Sequence, residues 1–161
     1  MPHRPRTIAP IARVPGLEYD VLDALVGYAL RRAQMVVYGA FDRATRGLDI
    51  TPPRFTALVI VGANPGISQS TLGAALGIAR SGAMTLVDWM VERGMIERRS
   101  CPQDRRAWGL HLTSRGERFV DKVKRSVVAE DRKQVAALSG AEKRTLLGLL
   151  ERIAMAGEKR A

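Results

Sequence analysis

The chain has 161 residues, 46% of them hydrophobic and 26% charged, and a formal net charge of +10. That length fits one domain with a real core, and the excess of positive charge favours an anionic partner. A single cysteine excludes an internal disulfide framework, no apolar run approaches the ~18 residues of a membrane span, and the N-terminus lacks a secretory apolar segment; the expectation is a cytoplasmic protein with no membrane partner.

Residues 1–16 hold Pro2, Pro5, Pro10 and Pro15 with Arg4, Arg6 and Arg13 and no acid, which predicts a flexible or extended basic arm. From Leu17 to about Arg46, the residues Leu22, Leu25, Val26, Ala29, Ala33, Val37 and Ala40 recur at three- and four-residue steps, the spacing of a long helix. Val21, Leu30, Met35 and Phe41 extend its apolar surface beyond one stripe, so part of it is expected to bury against a partner chain. Gly47 ends it. Thr51 is placed to cap a second helix with Pro52 at the first helical position, where a missing N–H costs nothing. Phe55, Leu58 and Val59 face inward, and Asn64-Pro65-Gly66 reads as the closing turn.

The stretch from Ile67 to Gly116 organises the rest. Ser68 caps a short helix, with Ile67 and Leu72 spaced as a hydrophobic staple, and Gly77 stands where a left-handed residue is wanted. A longer helix runs from Arg80 to Arg93, with Ala83, Leu86, Val87 and Met90 inward and Arg80, Ser81, Thr85 and Asp88 pointing elsewhere. Two helices at a turn, the second with an open polar face, make a helix-turn-helix at about 68–93. Met95–Ser100 and Ala107–Leu112 then pair as a hairpin, at about 95–112, around a basic tip containing Arg105 and Arg106: a wing. Arg80, Ser81 and Thr85 are expected in the major groove, Gln69 and Ser70 at phosphates, and Arg99 as a further cation on the DNA. Thr113 caps the next helix, which should run to about Leu138 with Phe119, Val123, Val127 and Val135 on its apolar side. Ser139 and Glu142 form a capping box for a last helix carrying Leu146, Leu147, Leu150 and Ile153. The expected fold is mainly α, about six helices and a two- or three-stranded wing, with residues 17–161 as one domain. Helices at about 17–46 and 114–159 serve dimerisation, giving a two-fold molecule with two reading heads.

Leu86-Val87-Asp88, Glu92-Arg93-Gly94-Met95-Ile96-Glu97-Arg98, Asp104-Arg105-Arg106-Ala107, Leu112-Thr113 and Gly116, taken together, resemble the MarR family of bacterial transcriptional regulators. The resemblance implies a homodimer on a palindromic operator in double-stranded DNA, most simply a repressor released by a small-molecule effector. It implies that Asp104 orients Arg106 towards DNA, with Arg105 adding a phosphate contact. Ala79, Gly82 and Met84 depart from the family pattern, which has a capping aspartate and polar residues there; fewer direct base contacts follow, with Met84 available to a thymine methyl. The family's ligand cleft maps onto Tyr38, Phe41, Arg54, Phe55, Leu58 and Phe119, where Arg54 suits the carboxylate of a small aromatic acid. An aryl-CoA thioester is the other effector chemistry the resemblance brings, with Arg31, Arg32, Arg43 and Arg46 within the helical stretch that would meet CoA phosphates.

Trp89 and Trp108 are read as packing residues of the head, because duplex DNA offers no free base face. His3, His111 and one cysteine make no metal cluster, and no cofactor motif or paired base and nucleophile emerges, so no enzyme is expected. Two rivals to a ligand-released repressor stand: a regulator that senses thiol oxidation through Cys101, and a protein that coats DNA without regard to sequence.

Overall fold

The computed structural model describes residues 11–101 and 104–158, with side chains over 11–100 and 108–157. The elements in order are a short 3-10 helix Asp20–Ala24, α1 Val26–Ala44, α2 Pro52–Ala63, β1 Ile67–Ser68, α3 Gln69–Ala75, α4 Arg80–Glu92, β2 Ile96–Cys101, β3 Asp104–Leu112, α5 Ser114–Gln134 and α6 Gly140–Glu158. The three strands form one antiparallel sheet in the order β1-β3-β2. The expected architecture of six helices and a small wing is therefore present. Phe41–Val127 form one compact unit, called the head below; the described residues before Phe41 and after Val127 form the other, the helical unit.

The head is built on one apolar cluster. Leu58 and Val61 of α2, Leu72 of α3, Val87 and Met90 of α4, Ile96 of β2, Leu110 of β3 and Val120 of α5 all lie within it, each nearly inaccessible. Burying a side chain of this size is worth about 1.5–3 kcal/mol. The helical unit is different in kind. Leu22, Leu25, Val26, Val37, Leu146, Leu147, Leu149 and Ile153 are all exposed in the single chain. Among the described large apolar residues that stand exposed, only Ile78, Met84 and Trp108 belong to the head.

Three boundaries depart from the sequence reading. The first helix does not begin at Leu17: Leu25 is extended (φ −88°, ψ 115°) and separates the 3-10 turn from α1. Val21, Leu22 and Leu25 stay largely exposed in their own chain, so little burial holds them in the α register. Ile11–Gly16, at the end of the basic arm, is engaged with this turn: Arg13 pairs with Asp23 and stands over the Tyr19 ring at 5.1 Å, Val14 N donates to the Tyr19 hydroxyl at 3.0 Å, and Arg32 Nε donates to Ile11 O at 3.2 Å. Residues 1–10 of that arm lie outside the described residues.

Thr51 stands at the N-cap of α2 yet makes no side-chain capping bond. A capping oxygen accepts a hydrogen bond from the second or third helical N–H; Pro53 removes the second and leaves only that of Arg54. The capping geometry that does form is at Ser68, Thr113 and Ser139. The last two open α5 and α6; α5 ends at Gln134, short of Leu138, and the Ser139–Glu142 capping box closes reciprocally, at 2.8 Å for Ser139 N to Glu142 and 3.3 Å for Glu142 N to the Ser139 hydroxyl.

Candidate nucleic-acid interface

Helix α3 is fixed at both ends. Ser68 Oγ accepts from Thr71 N at 3.1 Å and lies 2.9 Å from Ser70 Oγ and 2.8 Å from Thr71 Oγ1. At the other end Gly77 takes a φ of 62°, a left-handed conformation that glycine adopts without steric cost. Ile78 N then reaches Gly73 O at 3.1 Å, and Gly77 N reaches Ala74 O at 3.0 Å, satisfying two carbonyls that the helix end would leave open. The two helices cross closely because both contact residues are small. A Cβ on Gly73 would meet the Cβ of Ala83 at 3.0 Å.

Ala83, Val87, Trp89 and Met90 turn α4 onto the core. Its opposite face carries Arg80, Ser81, Met84 and Thr85, all exposed. Ser81, Thr85 and Asp88 follow at three- and four-residue steps, so one strip of the helix is polar from its first turn. Thr85 donates its hydroxyl proton to Ser81 O at 3.1 Å, which leaves the Thr85 oxygen as an acceptor towards solvent. No side chain caps α4, because Ala79 holds the N-cap position. Asp88 is engaged: Arg98 of β2 donates to it at 2.6 Å. The outer face of α4 thus presents a cation at its N-terminal end, and its central acid is neutralised by the wing.

The wing is anchored at its base. Thr113 Oγ1 donates to Gly94 O at 2.6 Å and accepts from Gly116 N at 3.0 Å, so one hydroxyl ties the end of the α4 loop to the start of α5. Gly116 is required there, since a Cβ would stand 1.9 Å from Met95 O. In the sheet, Ile96 pairs with Leu112, Arg98 with Leu110, and Ser100 with Trp108, and these residues share the face turned to the core and α4. Glu97, Arg99 and His111 take the other face; Arg99 donates to Glu97 at 2.9 Å and 2.5 Å.

Of the DNA residues expected from sequence, Arg80, Ser81 and Thr85 lie together on α4, Gln69 and Ser70 at the start of α3, and Arg99 on β2 with its guanidinium held by Glu97. The backbone of Asp104, Arg105 and Arg106 lies in β3; their side chains, and that of Cys101, lie outside the described residues. Trp89 packs as expected, at 9% exposure. Trp108 does not: it is 56% exposed, because it sits two residues beyond Leu110, past the edge of the core. The sequence reading missed Arg98; its alternation with Glu97 and Arg99 was the available signal.

The residues mapped to the ligand cleft are dispersed in role. Phe41 and Leu58 are buried in the head's core, where Phe41 meets Phe55 with the rings tilted and their centroids 5.8 Å apart, and Phe119 packs against the same cluster. Tyr38 belongs to the helical unit and accepts from Gln34 at 3.3 Å. Arg54 stands over the Trp89 ring at 4.1 Å, Arg93 over the same ring at 4.5 Å, and Asp49 binds both guanidiniums, at 3.2 Å and 2.6 Å. The Trp89 indole N–H is buried without a hydrogen-bond partner. A cleft of about 430 Å³ lies elsewhere in the head, between the end of α2, the wing and α5, with Pro65, Arg99, His111, Val120 and Lys124 in its lining. Among the described residues no helix is long and apolar enough to cross a membrane.

A capped helix pair whose second member exposes a polar strip beside an anchored antiparallel wing defines the winged helix-turn-helix proteins that bind DNA. Comparison with known proteins agrees. Residues 48–107 match the model of the MarR family. The chain is 36% identical to a putative transcriptional regulatory protein for the hcr operon of Thauera aromatica over 129 residues, 80% of this chain and 78% of that one. The transcriptional repressor CouR bound to a 23-mer DNA duplex superposes with a TM-score of 0.80 at 32% identity, covering 86% of this chain and 98% of that one. CouR bound to p-coumaroyl-CoA gives a TM-score of 0.74 at 30% identity over 86% and 97%. The chain belongs to the MarR family of transcriptional regulators.

Proposed function

We propose that this protein is a homodimeric repressor that reads a palindromic operator through α4 and the wing and is released by a small aromatic acid or its CoA thioester. The observation that carries the reading is the outward strip of α4: Arg80, Ser81, Met84 and Thr85 are exposed together on a helix whose other face is locked into the core. A helix of this diameter fits the major groove, where an arginine grips guanine by two bonds and a thioether or methyl meets thymine. The wing tip, with Arg106 oriented by Asp104, serves the neighbouring minor groove, and Arg105, Gln69 and Ser70 serve phosphate. The exposed apolar residues of the helical unit supply the surface through which two copies pair, setting two heads about one helical turn, ~10 bp, apart. DNA-bound CouR supports the first half of this reading and CouR with p-coumaroyl-CoA the second. Release is a population shift: an effector that favours a head spacing unlike the operator's weakens DNA binding by its differential affinity.

The test is binding to a duplex selected from random sequence and to its scrambled counterpart, across a salt series. Arg80→Ala and Ser81→Ala should lose about 1–3 kcal/mol on the selected duplex and little on the scrambled one. Arg106→Ala should weaken both and flatten the salt dependence by about one unit of slope. Equal affinity of the unaltered protein for both duplexes, with uniform protection in footprinting, would mean a DNA-coating protein instead.

A further inference from the structure

We infer that Trp108 and Ser100 form a saddle for the sugar–phosphate strand that separates the two grooves, with the Trp108 indole lying against deoxyribose and its N–H donating to phosphate; this rests on the winged-helix reading above. The register of the wing carries the argument. Trp108 stands opposite Ser100 on the face that also holds Leu110 and Arg98. Leu110 is 1% exposed, and Arg98 is bound to Asp88 of α4. That face is therefore turned to the core and to α4. Trp108 lies two residues, about 7 Å, further towards the tip. There the core has ended, and Trp108 is 56% exposed.

A duplex that gives its major groove to α4 and the next minor groove to the wing tip must pass the strand between those grooves through the gap between the two elements. On this reading the Asp88–Arg98 bridge lies at the base of that gap, and Ser100 and Trp108, further out on the same face of the wing, form its side. The chemistry suits a strand rather than a base. A deoxyribose offers apolar C–H surface to a flat ring, a phosphate oxygen accepts from an indole N–H or a hydroxyl, and neither differs between sequences. Arg98 retains guanidinium N–H groups beyond the one given to Asp88 and lies on the same side. A residue in this place strengthens binding to any duplex and positions α4 along the groove.

Three measurements test the assignment. Trp108→Ala should weaken binding to the selected and the scrambled duplex alike, by about threefold to thirtyfold. The loss should be the same at every salt concentration, because no cation is removed and no counterion release is forfeited. Trp108→Phe, which keeps a ring and loses the donor, should fall between. The protein has two tryptophans, and only Trp108 is exposed. Its emission should shift to shorter wavelength when DNA is added, and Trp108→Phe should lose that shift while still binding. Affinities within about twofold of the unaltered protein, or a shift that persists in Trp108→Phe, would overturn the saddle. So would an altered molar mass of Trp108→Ala in light scattering, which would give the indole to a second copy. If Arg80→Ala loses affinity for the selected duplex while Trp108→Ala does not, the saddle alone has failed and the winged-helix reading stands.

Discussion

Asp49 accepts a 2.6 Å hydrogen bond from Arg93, 44 residues further along the chain, and with its other oxygen binds Arg54 at 3.2 Å. The loop before α2, the first turn of α2 and the end of α4 thus meet at one carboxylate, with Trp89 beneath both guanidiniums. The energy does not reside in the charges. Asp49 is 66% exposed and both arginines are partly so, and bridges of this kind contribute about 0–1 kcal/mol. The indole fills core volume. Asp49→Asn should therefore cost less than about 1 kcal/mol in urea melts, whereas Trp89→Ala should cost about 3–5 kcal/mol. A large loss for Asp49→Asn would mean that the pair is shielded from water in the folded protein.

Arg54 was singled out from the sequence as a cation for an effector carboxylate, and its geometry gives that role a specific competitor. A bound carboxylate must share Arg54 with Asp49. Arg54→Ala should weaken the response to an aromatic acid more than it weakens effector-free DNA binding. Equal loss of both, with a lowered melting temperature, would make Arg54 a structural residue of the Trp89 cluster.

Much of the fold was legible because its signals are local. Ser68, Gly77, Thr113 and the Ser139–Glu142 box each act within one helix turn, and each forms the expected bond or backbone conformation. Thr51 stands at the N-cap as expected but makes no side-chain bond, since the second proline removes one of the two N–H groups that could serve it. The helix start at Val26 was missed because periodicity cannot say whether an apolar residue has something to pack on within its own chain. Trp108 was misread for a related reason. Strand alternation assigns a face, and only the extent of the core decides whether that face is covered.

Two glycines should respond in opposite directions to the same methyl group. Gly116→Ala drives a Cβ to within 1.9 Å of the Met95 carbonyl oxygen, which is backbone and cannot rotate away. It should cost about 1–3 kcal/mol or more and loosen the wing base, seen as faster amide exchange at Thr113 and Gly116. Gly148 in α6 has nothing within 4 Å of its would-be Cβ, and Gly148→Ala should raise helix stability by about 0.5–1 kcal/mol. A destabilised Gly148→Ala protein would show that another copy packs there.

The capping box of α6 predicts a pH dependence. Hydrogen bonds from the Ser139 side chain, and secondarily from its backbone N–H, hold the Glu142 carboxyl below its usual value of 4.5. A carboxyl lowered on folding stabilises the fold above its unfolded pKa, and the contribution disappears as the pH drops through the folded value. Amide protection in the first turn of α6 should accordingly decline below about pH 4.5. Glu142→Gln should remove that dependence and leave protection the same on both sides of it.

The pairing surface has its own test. Unaltered protein at micromolar concentration should scatter light as a dimer, and Ile153→Glu together with Leu146→Glu, both exposed apolar positions on α6, should yield a monomer that retains the head's fold. A monomer before any substitution would remove the two-headed reading.

If two copies pair as proposed, the bare apolar side chains of the helical unit make concentration a structural variable. In the proposed dimer, the second copy that covers Leu22, Leu25, Leu147 and Ile153 would stabilise the folded chain by mass action, and dilution would act on this protein as a mild denaturant. A cell with few copies would hold a weaker fold as well as fewer occupied operators. Repression would then rise more steeply than copy number, before any effector enters the account.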